Sequence, residues 1–223
     1  MQDYNEGTSV RVSSDIAGRV IALLFAAMKV VRRPRPIHPR GEIFVGHIEW
    51  TKPAGASSGV TWIDTPPQTG RQDVTARVSR SVGLVAPLPD VIGLAFRFHT
   101  PVGPADLALA SSWLGVPGRF LLRLSTSVGG SFASLMPYRG EFGPVVLAAR
   151  TRRRGNGRWE IDLMHATSTS TWKKFAIVNL DANALPDSAD LRFDPVENAL
   201  PGAGAYPWTR RLRERSYRVA QKA

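Results

Sequence analysis

The 223-residue sequence contains no cysteine. That excludes a disulfide scaffold, a thiolate nucleophile, an iron–sulfur cluster and thiolate-bound zinc. Nothing in this usage points to secretion, and a cytoplasmic location is expected. Only four histidines occur, at positions 38, 47, 99 and 165, which leaves little for a multi-histidine metal site. No phosphate-cradling glycine loop, dinucleotide fingerprint or G-x-S-x-G elbow is present. No histidine and carboxylate pair has zinc-ligand spacing, and the acidic residues are too scattered for a two-metal site. Ordinary hydrolase chemistry is therefore poorly supported. The longest apolar run, residues 15–31, is interrupted by Arg19 and Lys29 and is too short to span a bilayer. It is not a signal peptide, because "RRPRP" and no cleavage pattern follows it.

What is present is globular and basic. Hydrophobic residues make up 43% and charged residues 21%, enough for one domain with a core. The net charge of +11 is clustered. Arg32, Arg33, Arg35 and Arg40 form one group, and Arg150, Arg152, Arg153, Arg154 and Arg158 a second. Arg210, Arg211, Arg213, Arg215 and Arg218 form the third. Such a surface can attract phosphates, but no zinc finger, RNA-binding signature or helix-turn-helix accompanies it, so specific nucleic-acid binding is not expected. The middle group reads as a hairpin tip with solvated charges.

Residues 1–14 read as a flexible arm, and residues 15–223 as one domain. Ser13 or Ser14 can cap a helix over 15–31, on which Ile16, Val20, Leu23, Leu24, Ala27, Met28 and Val31 share a face. Packing on the body of the protein is favoured for it, with peripheral membrane contact as the alternative. Short alternating runs follow at 42–50, 73–82, 91–100, 119–127, 144–152, 158–167 and 173–181. Glycine and proline mark nearly every gap, which points to an antiparallel barrel or sandwich. "GPADLALASSWL" fits a short helix or another strand, and "FASLMPYRGEFG" reads as a loop with one helical turn. An Arg-rich helix is expected from about Trp208. The fold class is α+β: an antiparallel β-barrel core flanked by an N-terminal and a C-terminal helix.

Five segments occur in a telling order: "RPIHPRG", "ARVSRSVG", "PDVIGLAFRFHTPVGPADL", "FDPVENALPG" and "RERSY". Together they resemble the haem catalase family, in particular its minimal, core-only members. The matching positions are His38 in an Arg–hydrophobic–His segment closed by Gly41, then Arg77 and Ser79. Asp90, Gly93, Ala95 and Phe98 follow, with Gly103, Asp106 and Leu107 after them. Phe193, Asp194 and Pro195 then precede Pro201 and Gly202, and Arg213 stands four residues before Tyr217. The resemblance spans about residues 35–110 and 172–218. It leaves no room for the family's wrapping segment or helical region.

The resemblance implies haem b between the barrel and the C-terminal helix, with Tyr217 as the proximal iron ligand. A phenolate needs a nearby cation, and Arg213 at i, i+4 can supply it. A surface tyrosine on a basic helix is the plainer reading. His38 would be the general acid–base for peroxide and Ser79 its hydrogen-bonding partner. Arg77 would pair with a haem propionate, with Arg40 a weaker candidate, and Phe98 and Phe120 would face the macrocycle. Catalases carry an Asn shortly after the "D–L" stretch. Here "DLALASSW" offers only Ser111 or Ser112, which argues against fast dismutation and for peroxidase or organic-hydroperoxide activity on a peroxide or another small molecule. A degenerate catalase-fold protein binding an apolar or acidic ligand is the second reading. A basic barrel binding nucleic acid or a membrane surface is the third. His47, His99 and His165 read as structural or rim residues, and Trp113, Trp172 and Trp208 as core packing before pocket wall. The sequence leaves the oligomeric state open.

Overall fold

The computed structural model describes residues 41–51, 57–81, 83–84, 87–183, 185 and 191–209. The arm over 1–14, the helix over 15–31 and the site positions His38, Arg40, Arg213 and Tyr217 lie outside the described residues. So does the Arg-rich helix, apart from a helical start at 207–209.

Ten strands form in chain order: β1 (Gly41–Trp50), β2 (Arg71–Arg80), β3 (Asp90–Thr100), β4 (Gly103–Ser111), β5 (Leu124–Ser125), β6 (Gly130–Ala133), β7 (Tyr138–Gly140), β8 (Gly143–Arg153), β9 (Trp159–Ala166) and β10 (Lys173–Leu180). Eight of them close a ring in the order β1–β2–β3–β4–β6–β8–β9–β10, and all its pairings are antiparallel. β5 and β7 are short additions on β3 and β8. The expected barrel is therefore present, and "GPADLALAS" resolves as a strand. Eight of its nine residues pair with β3.

Two sequence expectations fail. The run 119–127 is not one strand: Gly118–Phe120 is a 3₁₀ turn, Leu122 makes an isolated bridge to Ser112, and only Leu124–Ser125 forms a strand. The run's apolar residues mimic a strand, but β4 already pairs with β3 and β6, so no ring edge remains for it. The stretch 132–143 holds no helical turn; it carries the end of β6 and all of β7.

Period-two alternation sends Val74, Ala76 and Val78 of β2 and Ile92, Leu94, Phe96 and Phe98 of β3 into one interior core. A one-turn helix, α1 (Thr61–Asp64), plugs one end of the barrel. Its Trp62 ring lies 4.6 Å from Phe98 and 5.5 Å from Trp50. Asp64 closes the turn before α1 by accepting hydrogen bonds from the Ser58 and Gly59 N–H groups at 2.9 and 2.8 Å, and from the Ser57 and Ser58 hydroxyls. Burial pushes this carboxyl up, but those donors outweigh it and hold it below its ordinary value.

The "FDPVEN" segment is tied to the barrel through Asp106, which is fully buried. Arg97 donates to it with two nitrogens, at 2.8 and 2.7 Å. The Asp194 N–H and the Asn198 amide donate at 2.7 and 2.8 Å. The Arg97 guanidinium also lies over the Phe193 ring, 5.3 Å from its centre. A buried carboxylate is tolerated here because both oxygens are filled.

The basic hairpin β8–β9 is present and its arginines are exposed, as expected, but several of them are also partnered. Arg152 donates to Glu160 and Asp162, Arg154 pairs with Glu160, and Arg153 lies over the Trp159 ring. Hydrogen bonds from Arg154 and Arg152 hold Glu160 below the usual carboxylate range.

Candidate functional site

The outward face of β1–β4 carries Arg77 and Ser79, two of the predicted site positions that are described. Register places Gly41 opposite Ser79, Ser79 opposite Gly93, and Gly93 opposite Ala110. A second row runs Ile43, Arg77, Ala95 and Ala108. Apart from Arg77 and Ile43, nothing larger than serine stands on either row. Strand spacing makes such a face about 14 Å wide. It is smooth, and it holds one hydroxyl and one guanidinium. A flat, largely apolar ligand with an acidic edge is the kind of group it can receive.

Ser79 is 6% exposed, although it points away from the barrel core, and Gly93 is buried beside it. Arg77 leans toward the start of β1. A Cβ placed on Gly41 would stand 2.8 Å from the guanidinium carbon. Any residue other than glycine there would push the arginine off the row. The glycine that closes "RPIHPRG" thus has a steric role beside Arg77 and Ser79.

The other predicted positions fall differently. Phe98 is fully buried in the interior, between Trp62 and Phe96. The barrel wall separates it from Arg77 and Ser79, so it cannot touch a group on their face. Register explains this: Arg97 pairs with outward Thr75, and Phe98 with inward Val74. Ser111 is spent on structure, accepting from the Ile92 N–H at 3.1 Å and donating to the Arg123 carbonyl at 2.5 Å. The Ser112 hydroxyl is buried and has no partner among the described residues. The β4 position on the row with Ser79 is neither serine but Ala110, which offers no polar group.

Phe120 sits on the 3₁₀ turn and is 36% exposed. His47 shares the outward face, lower on β1. Its Nδ1 accepts from Arg71 at 3.0 Å, and its Nε2 lies 3.0 Å from Glu49, so both ring nitrogens are engaged in surface pairing. His99 is exposed near the end of β3. His165 is not a rim residue: it is buried beside Phe175, and burial pulls its pKa below the ordinary value. Trp113 and Trp208 are about half exposed, against the core packing expected of them. Trp172 is partly buried, donates to the Leu114 carbonyl at 2.7 Å and carries Arg119 over its ring.

The small-residue face could have been found in the sequence. Gly93, Ala95, Ala108 and Ala110 alternate with large apolar residues. That pattern signals an outward face that is neither polar nor bulky. No group of three or more metal-ligating side chains occurs among the described residues.

No protein-family model matches the chain, and no curated protein matches it in sequence. Solved structures do. A bacterial catalase superposes with a TM-score of 0.53 at 14% identity, covering 91% of this chain and 60% of its own. A fungal catalase gives 0.54 at 13%, covering 90% and 63%. Catalase A from Saccharomyces cerevisiae gives 0.53 at 13%, covering 89% and 63%.

The chain has the catalase fold. It spans about three fifths of the length of these catalases.

Proposed function

We propose that this catalase-fold chain binds haem b against the outward face of β1–β4 and uses it in a peroxide- or organic-hydroperoxide-dependent peroxidase reaction. The observation that carries the reading is the pair of rows that set Ser79 and Arg77 among Gly41, Gly93, Ala95, Ala108 and Ala110. A planar macrocycle needs a wall without side-chain relief, and a propionate needs a fixed guanidinium. Both features support the fit; Phe98 does not take part in it.

Bound haem would supply a redox-active iron. Arg77 holds an acidic edge of the ligand. Ser79 accepts or donates one hydrogen bond to a ring nitrogen of His38, which selects the tautomer of that histidine. Gly41, three residues after His38 in the chain, lies directly across from Ser79. His38 moves a proton between the two oxygens of the peroxide as general acid–base. Tyr217, as phenolate, would hold the metal, and Arg213 would stabilise that charge.

A second reading follows from Ala110. Its methyl group offers peroxide no hydrogen bond on the Ser79 row, so the fold can hold a ligand without turnover. The deciding experiment is an absorption spectrum of protein expressed with haem precursor, repeated after peroxide. A Soret band that peroxide perturbs, and that Tyr217→Phe removes or shifts, supports the peroxidase. A stable Soret band indifferent to peroxide supports the non-catalytic binder. A colourless protein that takes up no haem in vitro overturns both haem readings. Within the first outcome, His38→Ala keeps the band and slows the peroxide reaction about 10²–10⁴-fold.

A further inference from the structure

The segment between β4 and β5 is built inside out. Of its two arginines, Arg119 is 2% exposed and Arg123 partly exposed, while Trp113, Phe120, Leu121, Leu122 and Leu124 in and beside it are 36–63% exposed. Disorder is not the cause, because the segment is pinned at several points. Arg119 donates to the Thr167 and Ser170 carbonyls at 2.8 and 3.0 Å and stacks on Trp172. Trp172 donates to the Leu114 carbonyl, the Arg123 N–H to the Ser111 carbonyl, and Leu124 pairs with Val91. A rigid frame thus holds the apolar side chains out in water. Burying apolar surface is the usual gain from such an arrangement.

Trp113 opens onto a shallow groove of about 530 Å³ whose walls include Arg123, Arg150 and Arg152. Arg152 is already paired with Glu160 and Asp162. The Arg123 Nε is buried without a partner, and its guanidinium lies where only a glycine at 130 lets it: a Cβ on Gly130 (φ +147°) would be 2.6 Å from it. Arg150 is exposed. No acidic residue occurs between Asp106 and Glu141, and no carboxylate is among the groove's lining residues, although Glu160 and Asp162 stand behind Arg152; the chain carries a net charge of +11.

We propose that this end of the barrel is a docking surface for an anionic lipid bilayer. Leu121, Leu122 and Leu124 enter the headgroup and acyl boundary with Trp113 at the interface, and Arg123 and Arg150 meet lipid phosphates. Charge complementarity selects this occupant. A second copy of a chain carrying +11 would set cations against cations across the same patch. Aromatic rings suit the bilayer interface because one edge is apolar and the other wet, and clustered arginines suit an anionic leaflet. The surface is distinct from residues 15–31 and from the face of Arg77 and Ser79.

The test is vesicle co-sedimentation of the full chain, with phosphatidylcholine alone and with phosphatidylcholine mixed with phosphatidylglycerol. Binding is expected to the mixed vesicles and to weaken with salt. The double variants L121S/L124S and R123Q/R150Q should each lower partitioning at least tenfold, the first at an unchanged melting temperature because Leu121 and Leu124 are exposed. With brominated acyl chains, quenching of tryptophan fluorescence should fall in Trp113→Phe. Absence of binding to anionic vesicles overturns the proposal. Binding that survives both double variants overturns it in favour of another surface. A concentration-dependent dimer that L121S/L124S disperses, without vesicle binding, assigns the patch to a second copy instead.

Discussion

The two faces of β2, β3 and β4 have opposite physical characters. Inward, Val74, Val78, Leu94, Phe96, Phe98, Leu107 and Leu109 are buried and fill the barrel. Outward, the same strands carry Ser79, Gly93, Ala95, Ala108 and Ala110, with Arg77 among them. Barrel stability accounts for the first set. It does not account for the second, whose residues take no part in the interior core. The inner face is shaped by volume, the outer face by the lack of it. A fold can thus read as fully packed within while its outer face is defined by what was left small.

Four changes would break or sharpen that contrast. Phe98→Ala should have the largest effect on stability, about 3–5 kcal/mol, because the ring is fully buried against Trp62 and Phe96. Urea unfolding reads it directly. A loss below about 1 kcal/mol would mean that the inner face is not the stabilising one.

Asp106→Asn comes next, at about 3 kcal/mol, since it strands the partner charge of Arg97. Hydrogen exchange should also show the 193–198 segment loosening from β4, because Asp194 and Asn198 both donate to Asp106. Unchanged protection of that segment would assign its attachment to other contacts.

His165 sharpens the contrast from inside the barrel. Its folded pKa is depressed by burial, so the unfolded chain takes up a proton first as pH falls. The stability that the neutral ring contributes is complete above its unfolded pKa of about 6.5 and is lost as pH falls through that value toward the folded pKa. Stability should therefore decline between pH 7 and 5, and His165→Leu should flatten that slope. Equal slopes in the two proteins would show that the ring titrates normally.

The smallest stability effect belongs to the outer face. Ala108→Trp should change the unfolding free energy by only about 0.5 kcal/mol, yet lower haem uptake at least tenfold by raising a ridge beside Arg77. Uptake equal to that of the parent would remove this face from the binding site.

Much of the architecture was legible because it rests on local rules. The alternation in "DVTARVSRSV" and "VIGLAFRFHT" separates two faces without any knowledge of the fold, and the turn residues mark the strand ends. "GPADLALASSWL" stayed open between helix and strand, as a short apolar run has no decisive period. The 3₁₀ turn at Gly118–Phe120 was missed because the leucines around it look like a strand, and only the pairing of β4 with both β3 and β6 excludes them. The α1 plug was missed because one helical turn leaves no periodic signal.

The candidate site divided along the same line. Residue types and their order are properties of the chain, and they sufficed to nominate Arg77, Ser79 and the glycines around them. Which face each residue joins depends on register, which is a relation between distant strands. Phe98 shows the difference: its place in the motif is local, but its pairing with Val74 turns it into the core. The union of Asp106 with Asp194 and Asn198 is likewise tertiary, joining positions 88 and 92 residues apart. The sequence alone determined the alternation, the clustered charge and the motif order, because each arises from neighbours along the chain. Ring closure, the smooth outer face and the outward leucines beside a buried arginine were decided by tertiary structure, because they depend on which strand edges and cavities remain once the others are filled.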